Sequence, residues 1–397
     1  MRLLCFALVL AVAWPLAAPA QSLKDAFDAA WRRSPAGAAE LARGDEAAAR
    51  RATAGAWLRE SPSVSASYRT DQIDLNQGRR EYEVELGVPL ATPGERDAGR
   101  TVGEAEARAL QAQQAAARLG LAKDVREAFW TARLAQVEHE LAQRRLDEAR
   151  RLAEDLARRL AAGEAARVDA NQARSAQLAA EAALRAAQVE AQRSLKAFTT
   201  LTGLPRLPQD AEARAAAPGA GPEHPLLGQA QANARAARAR AEQAAQVRRD
   251  TPEYTVTLTR ERDDFTVLYS NSVRFGVRIP LGSDVRNVVR IAQAGAERTE
   301  AEASVRLEIE RLQAEQALAR DDLAAAEAAQ DGAQERARLA RDTHQLIARA
   351  HQLGDRDLAT RLRADTERFE AELSAARAEA ELGRAISRLN QSLGLLP

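Results

Sequence analysis

Few side chains in this sequence could do chemistry. It holds four histidines, His139, His224, His344 and His351, and one cysteine, Cys5. His344 and His351 fall seven positions apart on one expected helix, so they share a face but lie two turns from each other. Glu138-His139-Glu140 reads as a charged helix surface. With no HExxH pair and no second cysteine, neither a metal centre nor a cofactor is expected. No Ser–His–Asp constellation, phosphate loop or dinucleotide fingerprint is evident, and the glycines mark turns. The reading is a protein that is not an enzyme.

The remaining charged candidates sit at turns and in strands. Gly163-Glu164 and Gly354-Asp355-Arg356-Asp357 each interrupt a long helical stretch. Carboxylates around a narrow aperture attract cations and hold an entrance shut by bonding to neighbouring helices. An aspartate at a helix start also caps it and suits the positive end of its dipole. Both readings stay open for Asp355, Asp357 and Asp169. Arg356 between two acids argues against a simple acidic ring.

Two stretches alternate apolar with polar residues. Ser63–Arg69 and Glu81–Leu90 form one strand pair, and Tyr254–Arg260 and Ser272–Ile279 a second. Period-two alternation places Tyr68, Tyr82, Val84, Leu86, Tyr254, Val256, Leu258, Phe275 and Val277 on an apolar face. Glu81, Glu83, Glu85, Arg274 and Arg278 fall on the polar face, as solvated lining or as selective binding groups. Strand lengths near 9–11 residues suit a tilted crossing of a bilayer. All four tyrosines lie in or beside these strands, as an interfacial girdle requires. The connecting loops, 72–80 and 263–269, read as polar. Two amphipathic hairpins lying on a soluble helical body are the alternative.

The elements that position these strands are helices. The chain is rich in Ala, Arg, Glu and Leu, as long helices are. Leu318, Ala325, Gly332, Leu339, Leu346 and Leu353 share one seven-residue register. Shorter stripes run along Leu152, Leu156 and Leu160, and along Leu382, Ile386, Leu389 and Leu393. Lysine plus arginine equals aspartate plus glutamate at 57 each, which gives no basic excess for nucleic acid. Arg2, the apolar Leu3–Val12 and Ala18-Pro19-Ala20 read as a signal peptide over 1–20, with Cys5 inside it and Gln21 as mature start.

The halves repeat. Ser34-Pro35 returns as His224-Pro225, Ser61-Pro62 as Thr251-Pro252, and Gly163 as Gly354, each about 190 positions on. Leu201-Thr202-Gly203-Leu204-Pro205 is echoed by Leu393-Gly394-Leu395-Leu396-Pro397. The organisation read from this is a first repeat over 21–205, a Pro/Gly/Ala-rich linker over 206–223 and a second repeat over 224–397. Each repeat runs helix, two strands, long helix, turn and returning helix. The returning helix is roughly half as long as the descending one, about 35 residues against about 68. End-to-end stacking is expected to make up the length, with 225–249 continuing the first return and a single helix over 23–60 continuing the second.

Four strands cannot close a barrel, and open edges are not tolerated in lipid. Identical copies must pool strands, and threefold symmetry gives twelve.

Val88-Pro89-Leu90 with Pro93-Gly94-Glu95-Arg96, and Ile279-Pro280-Leu281-Gly282 with Asp284-Val285-Arg286-Asn287, end a strand and open a descending helix. Together with Gly163, Gly354 and Thr202-Gly203-Leu204-Pro205, these segments resemble the TolC-type outer-membrane efflux factors over nearly the whole mature chain. The cation-efflux branch, typified by the cobalt–zinc–cadmium resistance channel, is most similar. The resemblance implies a mainly α fold with a small membrane β part: a homotrimer with a twelve-stranded barrel continuous with a periplasmic α-helical tunnel. It implies a passive exit duct for metal cations or small toxic compounds in the outer membrane. The partners implied are a periplasmic adaptor (membrane fusion protein) and a proton-driven inner-membrane pump of the RND type. The gate and adaptor-docking tip would be the turns at Gly163, Glu164, Gly354, Asp355 and Asp357. Many relatives carry a lipidated cysteine where this chain has Gln21, so no lipid anchor is expected. A duct for type I protein secretion and a periplasmic coiled-coil adaptor are the alternatives.

Overall fold

A computed structural model describes residues 22–58, 61–215, 224–246, 251–279 and 284–397. The expected signal peptide, the second half of the expected linker and the Pro280-Leu281-Gly282 segment lie outside the described residues.

The opening helix is three pieces, not one. Helices α1 (Leu23–Arg33), α2 (Pro35–Ala38) and α3 (Glu40–Ala54) follow each other, with breaks at Ser34 and Ala39. Pro35 has no N–H to give a continuing helix. Ser34 ends α1 and caps α2, its Oγ accepting from the Gly37 N–H at 2.9 Å. A capping box between Ser22 and Asp25 starts α1.

Strands β1 (Ser63–Thr70), β2 (Arg80–Pro89), β3 (Glu253–Arg262) and β4 (Ser270–Arg278) form one antiparallel sheet in chain order. The two hairpins join through β2 and β3, with Val84 opposite Leu258 and Glu85 opposite Thr257. Below each hairpin runs a helix of 69 residues, α4 (Pro93–Ala161) and α7 (Asp284–Gln352). At 1.5 Å per residue each is about 100 Å long. Thr92 and Glu95 close a capping box at the start of α4, with Pro93 at its first position. The returning helices α5 (Arg167–Thr202) and α8 (Leu358–Ser392) have 36 and 35 residues. Helix α6 (Pro225–Gln246) completes the set.

End-to-end stacking is present, but its partners are exchanged relative to the expectation. Gly203, past the end of α5, lies against Arg33 of α1, and Gly394, past the end of α8, lies against Pro225 at the start of α6. The reason is the path of the linker. From Arg206 it crosses α4 rather than rising straight. Glu212 binds Arg126 of α4, the Ala215 N–H donates to Asn390 of α8 at 3.0 Å, and Arg214 reaches Glu327 of α7 at 3.0 Å. Helix α6 therefore begins above α8. Towards the tip the helices run side by side as α5, α4, α8, α7; towards the sheet, as α3, α4, α6, α7. Glu106 on α4 is gripped from both sides, by Arg50 of α3 at 2.8 Å and Arg240 of α6 at 2.7 Å.

The core sits where the stacked ends meet. Leu23, Ala26 and Ala30 of α1 pack with Val125, Phe129 and Trp130 of α4 and Phe198 of α5. Among the described residues, no helix is long and apolar enough to cross a membrane.

Candidate functional site

The strand register settles which side chains share a face. Tyr68 lies opposite Tyr82, Val84 opposite Leu258, Leu86 opposite Val256, and Phe275 opposite Val256. All nine residues read as one apolar face thus fall on one side of a continuous sheet. Val64, Ala66, Val88 and Val273 extend that face; they carry the same alternation.

The two faces are buried in the reverse of the usual sense. Leu258 is 54% exposed and Phe275 79%, whereas Thr257 between their rows is 2% exposed. In water such an apolar sheet face would be covered by a core. On the central strands β2 and β3 the polar side is the more sheltered one. On it, Glu81 accepts from Arg69 at 3.2 Å, and Arg278 reaches Glu253 at 2.9 Å and Glu85 at 3.9 Å. Thr257 donates its hydroxyl to Glu85 at 3.3 Å. Arg274 stands beside Thr257 in register, and Glu83 between Ser67 and Thr259. The acids and arginines named from the sequence therefore belong to one wall.

Tyr68 and Tyr82 stack at 4.8 Å, and Tyr82 lies 6.4 Å from Tyr269, all at the loop end of the strands. Tyr254 alone marks the helix end, where it faces Val88 across the pair. Trp57, missed in the sequence, is exposed at that same end and lies under the Arg96 guanidinium at 3.6 Å. Nothing in its local pattern distinguishes it from a core tryptophan. The loops expected to be polar also expose Ile73, Leu75, Phe265 and Leu268.

At the far end, the two helical hairpins turn in the same way. Gly163 and Gly354 adopt φ of +80° and +85°, conformations glycine takes without strain. The Glu164 N–H bonds Arg159 O at 2.8 Å, and the Asp355 N–H bonds Ala350 O at 2.9 Å. Asp357 is the N-cap of α8, its carboxylate accepting from the Thr360 N–H at 3.2 Å. Hydrogen bonds from the Thr360 hydroxyl and N–H hold its pKa below the ordinary carboxylate value. Asp169 lies in the first turn of α5. Asp355 and Glu164 are exposed. Leu358 packs against Leu152, Leu156 and Ala173, which binds the two tips together.

The seven-residue register of α7 does not face α8. Leu318 is 63% and Leu353 73% exposed, and nothing lies near Gly332. The α7–α8 contact uses Ala319, Leu323 and Ala326 instead, one position along. On the other flank, Val168, Leu178 and Val189 of α5 are exposed too. Both outermost helices of the row thus present unpartnered apolar stripes.

The architecture is therefore one four-stranded sheet with its apolar side out, set on two 69-residue helices paired by half-length ones. Residues 26–204 match the family model described as outer membrane efflux protein. The fold continues through both halves as in solved outer-membrane channels. VceC of Vibrio cholerae aligns with a TM-score of 0.74 at 18% identity, covering 94% of this chain and 96% of that one. CusC aligns at 0.76 and 18%, covering 94% and 92%. CmeC of Campylobacter jejuni aligns at 0.74 and 14%, covering 94% and 85%. No curated protein matches in sequence. Over residues 26–204 the chain thus matches the outer membrane efflux protein family, and through both halves its fold is that of these solved channels.

Proposed function

We propose that three copies of this chain form a passive outer-membrane exit duct of a tripartite efflux pump. The observation that carries the reading is the reversed sheet: apolar side chains exposed, polar ones more sheltered on the central strands β2 and β3, and β1 and β4 each paired on one side only. Lipid would cover the apolar face, and two further copies would close the edges into a twelve-stranded barrel. The exposed stripes on α5 and α7 support the same assembly, since a neighbour's α5 set against α7 would bury both. The tunnel then extends about 100 Å into the periplasm.

Acid outnumbers arginine on the polar face, where Glu81, Glu83, Glu85, Glu253 and Glu261 face Arg69, Arg274 and Arg278. That balance favours cations over anions and suits export of metal cations or small basic toxicants. The tips at Gly163-Glu164 and Gly354–Asp357 are the gate and the docking point for a periplasmic adaptor, which links the duct to a proton-driven inner-membrane pump.

The test is threefold. Detergent-extracted protein should have the mass of three chains by light scattering, conduct ions in planar bilayers with cation preference, and its deletion should sensitise cells to metals or drugs. Recovery in the soluble periplasm, or a folded monomer, would overturn the reading.

A further inference from the structure

Towards the loops, the outward face of the sheet changes chemistry within one turn of the pleat. On β2 the outward series runs Leu86, Val84, Tyr82, Arg80; on β3 it runs Val256, Leu258, Arg260, Arg262. Arg80 stands directly opposite Arg262, and Tyr82 opposite Arg260. Like charges directly opposed on one face destabilise a strand pair. Here the three arginines have no carboxylate partner among the described residues, while Arg69 and Arg278 on the inner face both have one.

These guanidiniums are nevertheless held in place. Arg260 lies 4.8 Å from the Tyr269 ring centre, and Arg262 lies 5.0 Å from the same ring and 5.1 Å from Phe265. The Arg262 Nε–H donates to Gly78 O at 2.9 Å, and Arg80 donates to the Thr70 hydroxyl. Ring stacking fixes a guanidinium while leaving its edge N–H groups free for an anion. The helix end of the same face carries Val88 and Tyr254 at the corresponding place and no such cluster. Strand β3 is flanked by β2 and β4 of its own chain, so an adjoining copy's strand cannot lie beside Arg260 or Arg262.

We infer that Arg80, Arg260 and Arg262 form an anion-binding belt for a phosphorylated lipid headgroup of the outer leaflet. This rests on the channel reading, which sets the face in lipid with the tyrosines at the interface. Arginine binds phosphate through paired N–H donors, and three clustered charges select a headgroup with more than one phosphate.

The test uses the full chain reconstituted in phosphatidylcholine nanodiscs containing a small fraction of bis-phosphorylated lipid A, with retained lipid counted by native mass spectrometry. The wild type should retain lipid A in preference to phosphatidylcholine. The Arg80→Gln, Arg260→Gln, Arg262→Gln triple variant should lose that preference about tenfold. Arg260→Gln alone, at an exposed site, should lose about threefold. Arg69→Gln on the inner face should change nothing, and millimolar inorganic phosphate should not displace the lipid. Insertion with equal lipid A retention by wild type and variants overturns this inference alone. Displacement by free phosphate also overturns it. Failure to enter the bilayer overturns the channel reading as well.

Discussion

Arg126 donates its Nε and Nη2 to the two carboxylate oxygens of Glu212 at 2.7 Å each, fastening the linker across the middle of α4. The same guanidinium reaches Gln391 and the Leu395 carbonyl, so one side chain ties the linker and the end of α8 to one long helix. Arg126 is only 3% exposed. A charge so enclosed is tolerated because it is paired with a carboxylate and four of its five N–H donors are answered.

Removing one partner should therefore cost far more than removing both. Glu212→Ala leaves the guanidinium buried and short of its anion, at about 3–5 kcal/mol. Arg126→Met combined with Glu212→Leu should recover most of that loss. Denaturant unfolding of the purified protein reads both, and an unshifted midpoint for Glu212→Ala would show that the pair holds nothing.

A second dependence joins Trp130 and Gly383. The indole N–H donates to Ser387 at 2.8 Å, and the ring lies where a Gly383 side chain would be, within 2.0 Å of the missing Cβ. Gly383→Ala must push the ring off and break that bond. A loss of about 1–3 kcal/mol is expected. Trp130 fluorescence should move with it; an unchanged spectrum and melting temperature would refute the packing argument.

The two faces of the sheet should respond oppositely to charge. Leu258→Arg puts a cation into the band read as lipid-facing and should cost about 2–4 kcal/mol at mid-depth. Glu83→Gln, on the opposite face, should leave stability alone and lower cation preference. Urea unfolding from lipid vesicles and reversal potentials separate the two. Equal effects on stability would mean that the faces are not differently solvated.

At the tip, cap and charge can be uncoupled. Asparagine keeps the capping oxygen that Asp357 offers to Thr360 but removes the charge. Asp355→Ala with Asp357→Asn should raise single-channel conductance if these carboxylates hold the entrance. Asp357→Ala alone should mainly fray the start of α8. Conductance unchanged in the double variant would remove both residues from the gate.

Much of this was legible beforehand because period two and the turn glycines are local signals. Val84 and Leu258 share a face whatever surrounds them, and Gly163 and Gly354 break a helix wherever it lies. What could not be read was set by long-range geometry. The exchange of stacking partners depends on the linker's sideways path, fixed by Arg126 and Glu212, residues 86 positions apart. The leucine register of α7 was visible, but a helix does not announce which side its neighbour takes. Arg260 and Arg262 carry no local signal that both guanidiniums lie against the Tyr269 ring, a contact made across the hairpin.

His351 gives the tip a response to acid. Burial, then the Arg361 and Arg159 charges, lowers its proton affinity below the ordinary value of 6.5, while Asp169 and Asp357 pull weakly the other way. The Arg361 guanidinium lies 3.3 Å from its Nδ1, linking α8 back to α7. Below the ordinary value an unfolded chain takes up a proton that the folded tip resists, so the unfolded state binds more protons. Stability is therefore full above about pH 6.5 and falls as the pH drops towards the lowered native value. Asp357 acts in the same direction, but only below 3.8. Hydrogen exchange of the 351–358 amides, corrected for intrinsic rates, should quicken a few-fold between about pH 7.5 and about pH 5.5. His351→Gln should flatten that response, and a variant that quickens as much as the wild type would rule His351 out as its source.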